Sequence, residues 1–351
     1  MVSVPGSIHR MEGPDSVGPA LLMPRPSQTD ESRNLRGAIA EPKLLVCVDN
    51  SPQAHRVLAF AMAIAPSLGL SVTLAGVVPV AHELLSPADP VAWQSQRRIE
   101  AERLARLAAF IGNGRQSDSI VLAGDPAMEL ARWSDDHGVT LLTLARNCGH
   151  ARPELGTTAR SLRDHAAQSL LLVPPGPATA DVRFRKILVP LDGSALAESV
   201  LPVALRIARD HGAQLLLAHV VQRFMRPQPI QSQDLCELEF EIDRHSARRA
   251  RSYLAQMRSR VGDKAIEVRT AVLGPGDPRT ALAELALKER ADLIVMSAQG
   301  VTNMNDVRCG SVAEYLIDQT NTALLVIRPN LTCSFSLEAS SDAKVPAHLI
   351  A

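Results

Sequence analysis

The chain has 351 residues, of which 46% are hydrophobic and 21% are charged, and its formal net charge at pH 7 is zero. This length allows two domains of ordinary size, and the composition is typical of soluble globular proteins. A balanced charge removes the electrostatic argument for a nucleic-acid or anionic-membrane partner, because such partners require a basic face, and ten aromatic residues (two Trp, two Tyr and six Phe) offer little surface for stacking bases. We therefore expect neither a nucleic-acid partner nor a membrane partner.

Cysteine and histidine patterns argue against a resident metal site. The five cysteines lack metal-knuckle and Cys-x-x-Cys spacing, their number is odd, and no two histidines form a metal-like pair. Unpaired cysteines are typical of a reducing compartment.

The N-terminus lacks the basic segment and apolar run of a signal peptide, so we expect a cytoplasmic protein.

One pattern occurs twice along the chain, in the same order in both halves. The offset between the copies grows only from 143 to 154 residues. The matching segments are Lys43–Ser51 with Lys186–Ser194, Gly124–Pro126 with Gly276–Pro278, Gly156–Thr157 with Gly310–Ser311, and Leu170–Val173 with Leu324–Ile327. The chain is therefore predicted to consist of two copies of one domain, and differences between the copies bear on function.

The composition outside the repeats sets the predicted domain boundaries. Residues 1–40 are rich in Pro, Ser, Gly and charged residues without periodicity, which predicts a disordered arm. The two copies span residues 41–175 and 182–329, and the Pro-rich segment 174–180 forms the linker between them. Residues 330–351 are expected to form a loose C-terminal tail.

The first copy contains 25 consecutive uncharged residues, from Val57 to Ala81, which is long enough to span a bilayer. Its counterpart in the second copy carries Arg206 and Arg209 at equivalent depth, which argues against a membrane span. Pro66 and Gly69 also fall where a helix should end and a strand should begin. We interpret the segment as helix, turn and strand.

The second copy alternates short apolar runs with helical patterns. The predicted strands are Ile187–Leu191, Gln214–Val221, Ile266–Ala271, Leu293–Met296 and Leu324–Ile327. The predicted helices are Leu196–Arg209, Asp234–Arg260, Arg279–Glu289 and Val312–Asp318. Continuous Val, Ile and Leu runs between helices indicate a parallel sheet covered on both faces, so each copy is predicted to be a doubly wound α/β domain.

In parallel sheets of this kind, ligands bind beyond the carboxyl ends of the strands, where the strand order reverses. In the second copy Asp192 follows the first predicted strand, and residues 297–300 follow the fourth. Gly310 and Ser311 then open a helix, whose free N–H groups and hydroxyl favour a phosphate. Asp192 can accept a hydrogen bond from a ribose hydroxyl, so this end of the sheet is predicted to bind a nucleotide.

These motifs resemble the universal stress protein family. Its nucleotide-binding members carry Gly-x-x-Gly, nine residues and then Gly-Ser or Gly-Thr after the fourth strand. Gly300, Gly310 and Ser311 match that pattern, and Ser297 stands in place of the first glycine. The resemblance covers both copies. It implies two tandem doubly wound parallel-sheet domains, with an adenine nucleotide alpha hydrolase-like fold and flavodoxin-like layering, that pack as a pseudo-dimer.

The resemblance also implies ATP, with or without Mg²⁺, as the ligand of the second copy. Asp192 would face the adenosine, Val220 would lie near the base, and Ser311 would reach the phosphates through its hydroxyl. Ser297 would either crowd a phosphate or add a hydrogen bond. The predicted nucleotide-binding residues are Asp192, Ser194, Val220, Met296, Ser297, Gly300, Gly310, Ser311 and Val312.

The first copy departs further from the pattern. Ala145 and Cys148 occupy the two glycine positions, and only seven residues separate Cys148 from Gly156. The shortened loop carries His150, Arg152 and Glu154. We therefore expect the first copy to bind nucleotide poorly or not at all and to serve as the pseudo-symmetric partner.

Simpler structural roles remain open for the same residues. Asp192 and Ser194 are also residue types preferred at the start of a helix. Gly310 and Ser311 could likewise serve only to begin a helix.

Three functions fit the sequence: a nucleotide-binding stress-response or regulatory protein, a scaffold that acts through protein partners without a ligand, and a slow ATP hydrolase. The chain has no Gly-x-x-x-x-Gly-Lys-[Ser/Thr] loop, and Arg308 is the one candidate for a cationic phosphate contact. We therefore expect binding without strong catalysis. The last strand of each copy, Leu170–Val173 and Leu324–Ile327, is expected at a sheet edge, and an unpaired edge is a natural pairing surface, for example in a homodimer.

Overall fold

The computed structural model describes residues 42–79, 90–110, 117–148, 153–178, 181–222, 233–262, 265–300 and 309–332. The predicted arm at residues 1–40 and the tail beyond residue 332 lie outside the described residues. Both copies of the repeat lie within the described part, apart from some of their loops.

The first half, residues 42–178, alternates strands and helices as the repeat predicts. Its strands are β1 (Lys43–Cys47), β2 (Ser71–Val78), β3 (Asp118–Ala123), β4 (Val139–Ala145), the short β5 (Asn147–Cys148) and β6 (Pro153–Glu154), and β7 (Ser169–Val173). Its helices are α1 (Ala54–Leu68), α2 (Pro90–Phe110), α3 (Pro126–Asp136) and α4 (Thr157–His165).

The second half, residues 181–332, repeats this order of elements. Its strands are β8 (Lys186–Pro190), β9 (Gln214–Gln222), β10 (Val268–Gly276), β11 (Leu293–Ser297) and β12 (Ala323–Ile327). Its helices are α5 (Ala195–Glu198), α6 (Leu201–His211), α7 (Gln233–Val261), α8 (Pro278–Glu289), α9 (Ser311–Gln319) and α10 (Pro329–Thr332).

Two predicted boundaries in the second half are wrong. The helix predicted at Leu196–Arg209 consists of two helices, α5 and α6, because Pro202 in the first turn of α6 has no N–H to donate to the preceding turn. The third strand, predicted to end at Ala271, continues to Gly276. It therefore reaches the Gly-Asp-Pro motif directly and places that motif at the strand end.

The repeated Gly-Asp-Pro motif starts a helix in each half. Asp125 and Asp277 are N-cap residues, and their carboxylates accept hydrogen bonds from the Met128 and Arg279 backbone N–H groups at 2.9 and 3.0 Å. The following proline occupies the first turn, where a missing N–H costs nothing. The motif therefore fixes where α3 and α8 begin.

The uncharged segment of the first half folds as predicted into helix, turn and strand. Helix α1 contains Pro66 in its last turn and ends at Gly69, whose φ of 63° is the left-handed conformation that glycine adopts without strain. Strand β2 follows at once. Among the helices that the structure describes, none combines the length and apolar character needed to cross a membrane.

Ten strands form one sheet in the order β10-β9-β8-β11-β12-β7-β4-β1-β2-β3. Within each half the neighbouring strands are parallel and follow the order 3-2-1-4-5, with helices on both faces. The tandem doubly wound fold is thus confirmed. The likeness to flavodoxin lies in the layering alone, because flavodoxin has the order 2-1-3-4-5. The order reverses beside β1 and β8, at the predicted ligand ends.

Two apolar layers cover the sheet, and each runs across both halves. One layer contains Ile64 of α1 and Ile207 of α6, and the other contains Leu162 of α4 and Leu316 of α9. All four side chains are fully or almost fully buried. The two halves therefore share their core instead of packing as separate globules.

The halves join through their last strands. Strand β7 pairs antiparallel with β12, so that Leu170 lies opposite Val326 and Leu172 lies opposite Leu324. Each of these strands is the edge of its own parallel sheet, as predicted. An exposed edge carries unpaired N–H and C=O groups, and here each edge satisfies those of the other.

Two buried arginines, one from each half, donate hydrogen bonds across this junction. Arg146, which follows β4, donates hydrogen bonds to the carbonyl groups of Ile317, Thr320 and Thr322 at 2.7, 2.7 and 2.6 Å. These carbonyls lie at and just beyond the C-terminal end of α9. Burial lowers the pKa of Arg146 to about 10, which leaves the guanidinium charged at neutral pH.

Arg328, which follows β12, makes the reciprocal contacts. It donates to the carbonyl groups of Arg163, Ala166 and Gln168 at the end of α4. These residues lie 154 positions before the three that Arg146 contacts, which is the offset of the repeat in this region. Two arginines at different repeat positions thus cap equivalent helix ends in the opposite half. Carbonyl groups at a helix end lack helical partners and favour a cation.

Replacing Arg146 with Met is expected to lower the free energy of unfolding by about 2–4 kcal/mol, because three carbonyl groups at a buried junction would lose their donor. Urea unfolding followed by circular dichroism measures the change. The control is Arg98→Met, since the Arg98 side chain is 83% exposed. That control should change stability by less than about 0.5 kcal/mol. An equally small effect at Arg146 would contradict the capping role.

Candidate functional site

A cavity of about 510 Å³ opens at the carboxyl ends of β8, β9 and β11 in the second half. This is the position where the strand order reverses, as expected for a ligand site in a doubly wound sheet. Eight of the nine residues predicted from the sequence line it: Asp192, Val220, Met296, Ser297, Gly300, Gly310, Ser311 and Val312.

The ninth predicted residue, Ser194, lies at the start of α5 instead. Its hydroxyl oxygen accepts a hydrogen bond from the Ala197 backbone N–H at 3.1 Å, which makes Ser194 the N-cap of that helix. Ser194 is not among the residues that line the cavity. Its position corresponds to the simpler structural role that remained open for it.

Asp192 and Gly300 meet at the centre of the site. One carboxylate oxygen of Asp192 accepts a hydrogen bond from the Ser194 backbone N–H at 2.9 Å, which orients the side chain. The other lies so close to Gly300 that a Cβ added there would overlap it. Glycine is required at position 300 because the carboxylate and the backbone of the loop approach each other closely.

Ser297, the departure from the family pattern, uses its hydroxyl within its own loop. The Oγ donates a hydrogen bond to the Gln299 carbonyl at 2.5 Å. The Gly310 N–H donates to the Ala298 carbonyl at 2.7 Å and joins the two ends of the loop. The serine thus stabilises the turn that carries Gly300.

Helix α9 begins at the wall of the cavity. Its N-cap residue is Gly310, which has no side chain to occupy the first N–H groups of the helix, and Ser311 is the first helical residue. The positive end of the helix dipole and these N–H groups favour an anion at this end of the cavity.

Apolar residues also line the cavity, and some of them were not predicted from the sequence. Leu282 of α8 and the predicted Val220 of β9 are buried beside the cavity, and Pro278 also lines it. Ser246 reaches the cavity from α7. A helix-borne serine carries no sequence signal of this position, because only the packing of α7 over β9 brings it to the strand ends.

His219 lines the cavity and supports the end of β8. Its Nδ1 donates a hydrogen bond to the Leu191 carbonyl at 2.7 Å. The edge of the Tyr253 ring packs against it, with ring centroids 5.7 Å apart. Burial, followed by the charge of Glu198, raises the pKa of the Tyr253 hydroxyl. These contacts hold the main chain next to Asp192.

The first half has a cavity at the equivalent place, with a volume of about 690 Å³. Its lining includes Asp49, Glu100, Gly156 and Thr157. The cavity itself is therefore retained, although the loop that should hold phosphates differs.

The loop after β4 forms a small hairpin, which is the main difference between the two sites. Asn147 of β5 lies opposite Glu154 of β6, and Cys148 lies opposite Pro153. Strand pairing occupies backbone groups of this segment, and β6 packs against α9 of the second half. His150, Arg152 and, in the second half, Arg308 lie outside the described residues.

A different network supports the end of β1 in the first half. Arg103 donates hydrogen bonds to the carbonyl groups of Val48 and Asp49 at 3.2 and 2.7 Å and pairs with Glu100. Val48 is the repeat equivalent of Leu191, the residue that His219 contacts in the second half. The equivalent of His219 is Gly76, and a side chain there would overlap Glu100. One carbonyl position is thus satisfied by two unrelated sets of side chains.

Neither cavity has an activated thiol. Cys47 lines the first-half cavity, and Cys309 precedes Gly310 in the second half. Burial raises the pKa of Cys47 to about 12 and that of Cys309 to about 11, so both thiols are protonated at neutral pH. Within the part of the chain that the structure describes, no cluster of His, Cys, Asp and Glu could hold a metal ion.

Comparison with known proteins covers both halves. The model of the universal stress protein family matches residues 42–174 and 183–328. A universal stress protein of Mycobacterium tuberculosis is 24% identical over 311 residues, covering 81% of this chain and 94% of that protein. One from Methanocaldococcus jannaschii is 29% identical over 146 residues, covering 41% of this chain and 82% of that protein.

A solved structure has the same overall fold. The crystal structure of a universal stress protein from Archaeoglobus fulgidus matches with a TM-score of 0.58 and 18% identity, covering 82% of this chain and 98% of that chain. The likeness includes both halves of the sheet. Together with the two segments that the family model matches, it leads to one conclusion: the chain belongs to the universal stress protein family, as a member with two tandem domains.

Proposed function

We propose that this chain binds an adenine nucleotide, ATP, in the second-half cavity and acts as a stress-response or regulatory protein without strong catalysis. One observation carries the proposal. A single cavity is lined by apolar side chains, by the helix start at Gly310 and Ser311, and by the carboxylate of Asp192. These three kinds of surface match the base, the phosphates and the ribose of a nucleotide.

The size and polarity of the cavity support a ligand of this class. A volume of about 510 Å³ falls in the range of pockets that enclose small organic ligands. Val220, Met296 and Leu282 provide an apolar surface for a base. Gly310 and Ser311 provide backbone N–H groups and a hydroxyl for the phosphates at the other end.

Asp192 is the proposed acceptor for the ribose hydroxyls. Its carboxylate is oriented by the Ser194 N–H and lies against Gly300 in the cavity lining. Carboxylates play this part in dinucleotide-binding domains. The same group is the one carboxylate among the described lining residues that could contact a Mg²⁺ carried in by ATP.

Binding without strong catalysis follows from the charges in the cavity. No Lys or Arg occurs among the described residues that line it. Phosphoryl transfer depends on cations that stabilise the charge of the transferred group. ATP hydrolysis at this site is therefore proposed to be slow at most.

We also propose the domain boundaries of the chain and a separate role for each half. The domains are residues 41–175 and 182–329, the halves act as a pseudo-dimer, and the first half serves as the partner of the nucleotide-binding half. The free thiols of Cys47 and Cys309 support a reducing, cytoplasmic location. Pairing of β7 with β12 uses the edges at which two chains could otherwise associate.

Replacing Gly300 with Ala is expected to weaken ATP binding at least about tenfold, because the new Cβ overlaps the Asp192 carboxylate and displaces it. Calorimetric titration of the full chain with ATP and Mg²⁺ measures the affinity. Gly274→Ala is the matched control, since a Cβ at Gly274 meets no atom within 4 Å. That variant should bind like the wild type.

Binding stoichiometry tests the difference between the halves. We expect one ATP per chain, with affinity reduced by Ser311→Ala and unchanged by Thr157→Ala at the equivalent first-half position. The reason is that the first-half loop is paired as a hairpin. Two ATP molecules per chain would show that the first half also binds. A folded chain that binds no ATP at millimolar concentration would favour the scaffold function instead.

A further inference from the structure

We infer that Arg163, a residue of the first half, is a positioning residue for the phosphate end of the second-half site. It acts by neutralising Glu314 in the first turn of α9. The inference rests on the proposed function of the second-half cavity and adds to it a dependence on the other half of the chain.

Arg163 bridges the two halves at this point. Its Nη1 lies 3.3 Å from Glu314 Oε1, and its Nε and Nη2 donate to the two carboxylate oxygens of Asp164 at 2.7 and 3.2 Å. The hydrogen bonding of Arg163 to the Asp164 carboxylate is the first cause that raises the pKa of Arg163. The guanidinium is therefore a permanent cation beside the start of α9.

The arginine is held more rigidly than its partner. The Arg163 side chain is 10% exposed, whereas that of Glu314 is 52% exposed. The Arg163 carbonyl accepts a hydrogen bond from the buried Arg328, which fixes the last turn of α4 against the second half. Arg163 is thus part of the buried junction between the halves, whereas the Glu314 side chain is half exposed to solvent.

Glu314 lies in the first turn of α9, next to the residues that line the cavity. It follows Ser311 by three residues, and side chains three apart share one face of a helix. Helical side chains also lean toward the N-terminus, so the Glu314 side chain points back toward the turn that holds Ser311. An unpaired carboxylate here would repel a phosphate bound at the helix start.

The contact has no counterpart in the first half. The repeat equivalents of Arg163 and Glu314 are Ile317 and Arg160, at the offset of 154 residues. The first-half helix start therefore carries no acid at this place and needs no neutralising cation from the second half. The second-half site therefore depends on a residue of the first half, and the first-half cavity has no equivalent dependence on the second half.

Cys309 lies in the same neighbourhood. The charges of Arg163, Arg328, Glu314 and Asp164 all act on the buried Cys309 thiol, which immediately precedes Gly310. The charged groups of the junction thus lie near the start of α9. Loosening the junction would expose Glu314 to the phosphate without its partner.

The test compares ATP with adenosine in calorimetric titrations of the full chain. Arg163→Met should weaken ATP binding about threefold to tenfold and leave adenosine binding unchanged, since only the phosphates meet Glu314. Adding Glu314→Gln to this variant should restore ATP affinity. Arg163→Lys should retain most of it, and the loss in Arg163→Met should shrink at high salt.

The control is Arg160→Met, an exposed arginine on the same helix that is expected to have no effect. Equal losses for ATP and adenosine, or no rescue by Glu314→Gln, would mean that Arg163 acts only through folding and would overturn the inference. Unchanged ATP affinity in Arg163→Met overturns it as well, while the proposed function stands. If the folded wild-type chain binds no ATP, the proposed function fails and the inference fails with it.

Discussion

The antiparallel pairing of β7 with β12 is the constraint on which the rest of the structure depends. Each half is a parallel sheet with an open edge at its last strand, and joining the two edges produces one ten-stranded sheet. The same junction buries the C-terminal ends of α4 and α9, whose carbonyl groups then need donors from the protein. Arg146 and Arg328 supply them. The position of α9, and with it the start of the candidate site, is therefore set by contacts between the halves.

In the two halves, different side chains donate hydrogen bonds to equivalent backbone carbonyl groups. The carbonyl at the end of the first strand is bonded by Arg103 in the first half and by His219 in the second. The helix ends at the junction are capped by arginines that come from different strands of the repeat. The repeat preserves the backbone and its unpaired carbonyl groups. The side chains that donate to these carbonyl groups differ between the halves, because any suitable donor can satisfy them.

The same divergence separates the roles of the halves. The segment after β11 remains a turn held by Ser297 and opens toward the cavity, whereas the segment after β4 pairs with itself and packs on α9. The first half thereby has a paired hairpin where the second half has a turn, and this hairpin contacts the other half. The proposed nucleotide site and its proposed dependence on Arg163 both follow from this division.

The sequence by itself determined the fold class, the two copies and eight of the residues that line the cavity, because apolar strands, glycine turns and helix starts are local patterns that place residues at strand ends. Asp192, Gly300 and Ser311 could be found in this way. Only the tertiary structure decided that the last strands pair with each other, that Ser194 caps a helix and that Ser246 reaches the cavity. It also decided which carbonyls the buried arginines meet. The strand pairing and the arginine contacts join residues more than a hundred positions apart, and no local pattern encodes such a distance.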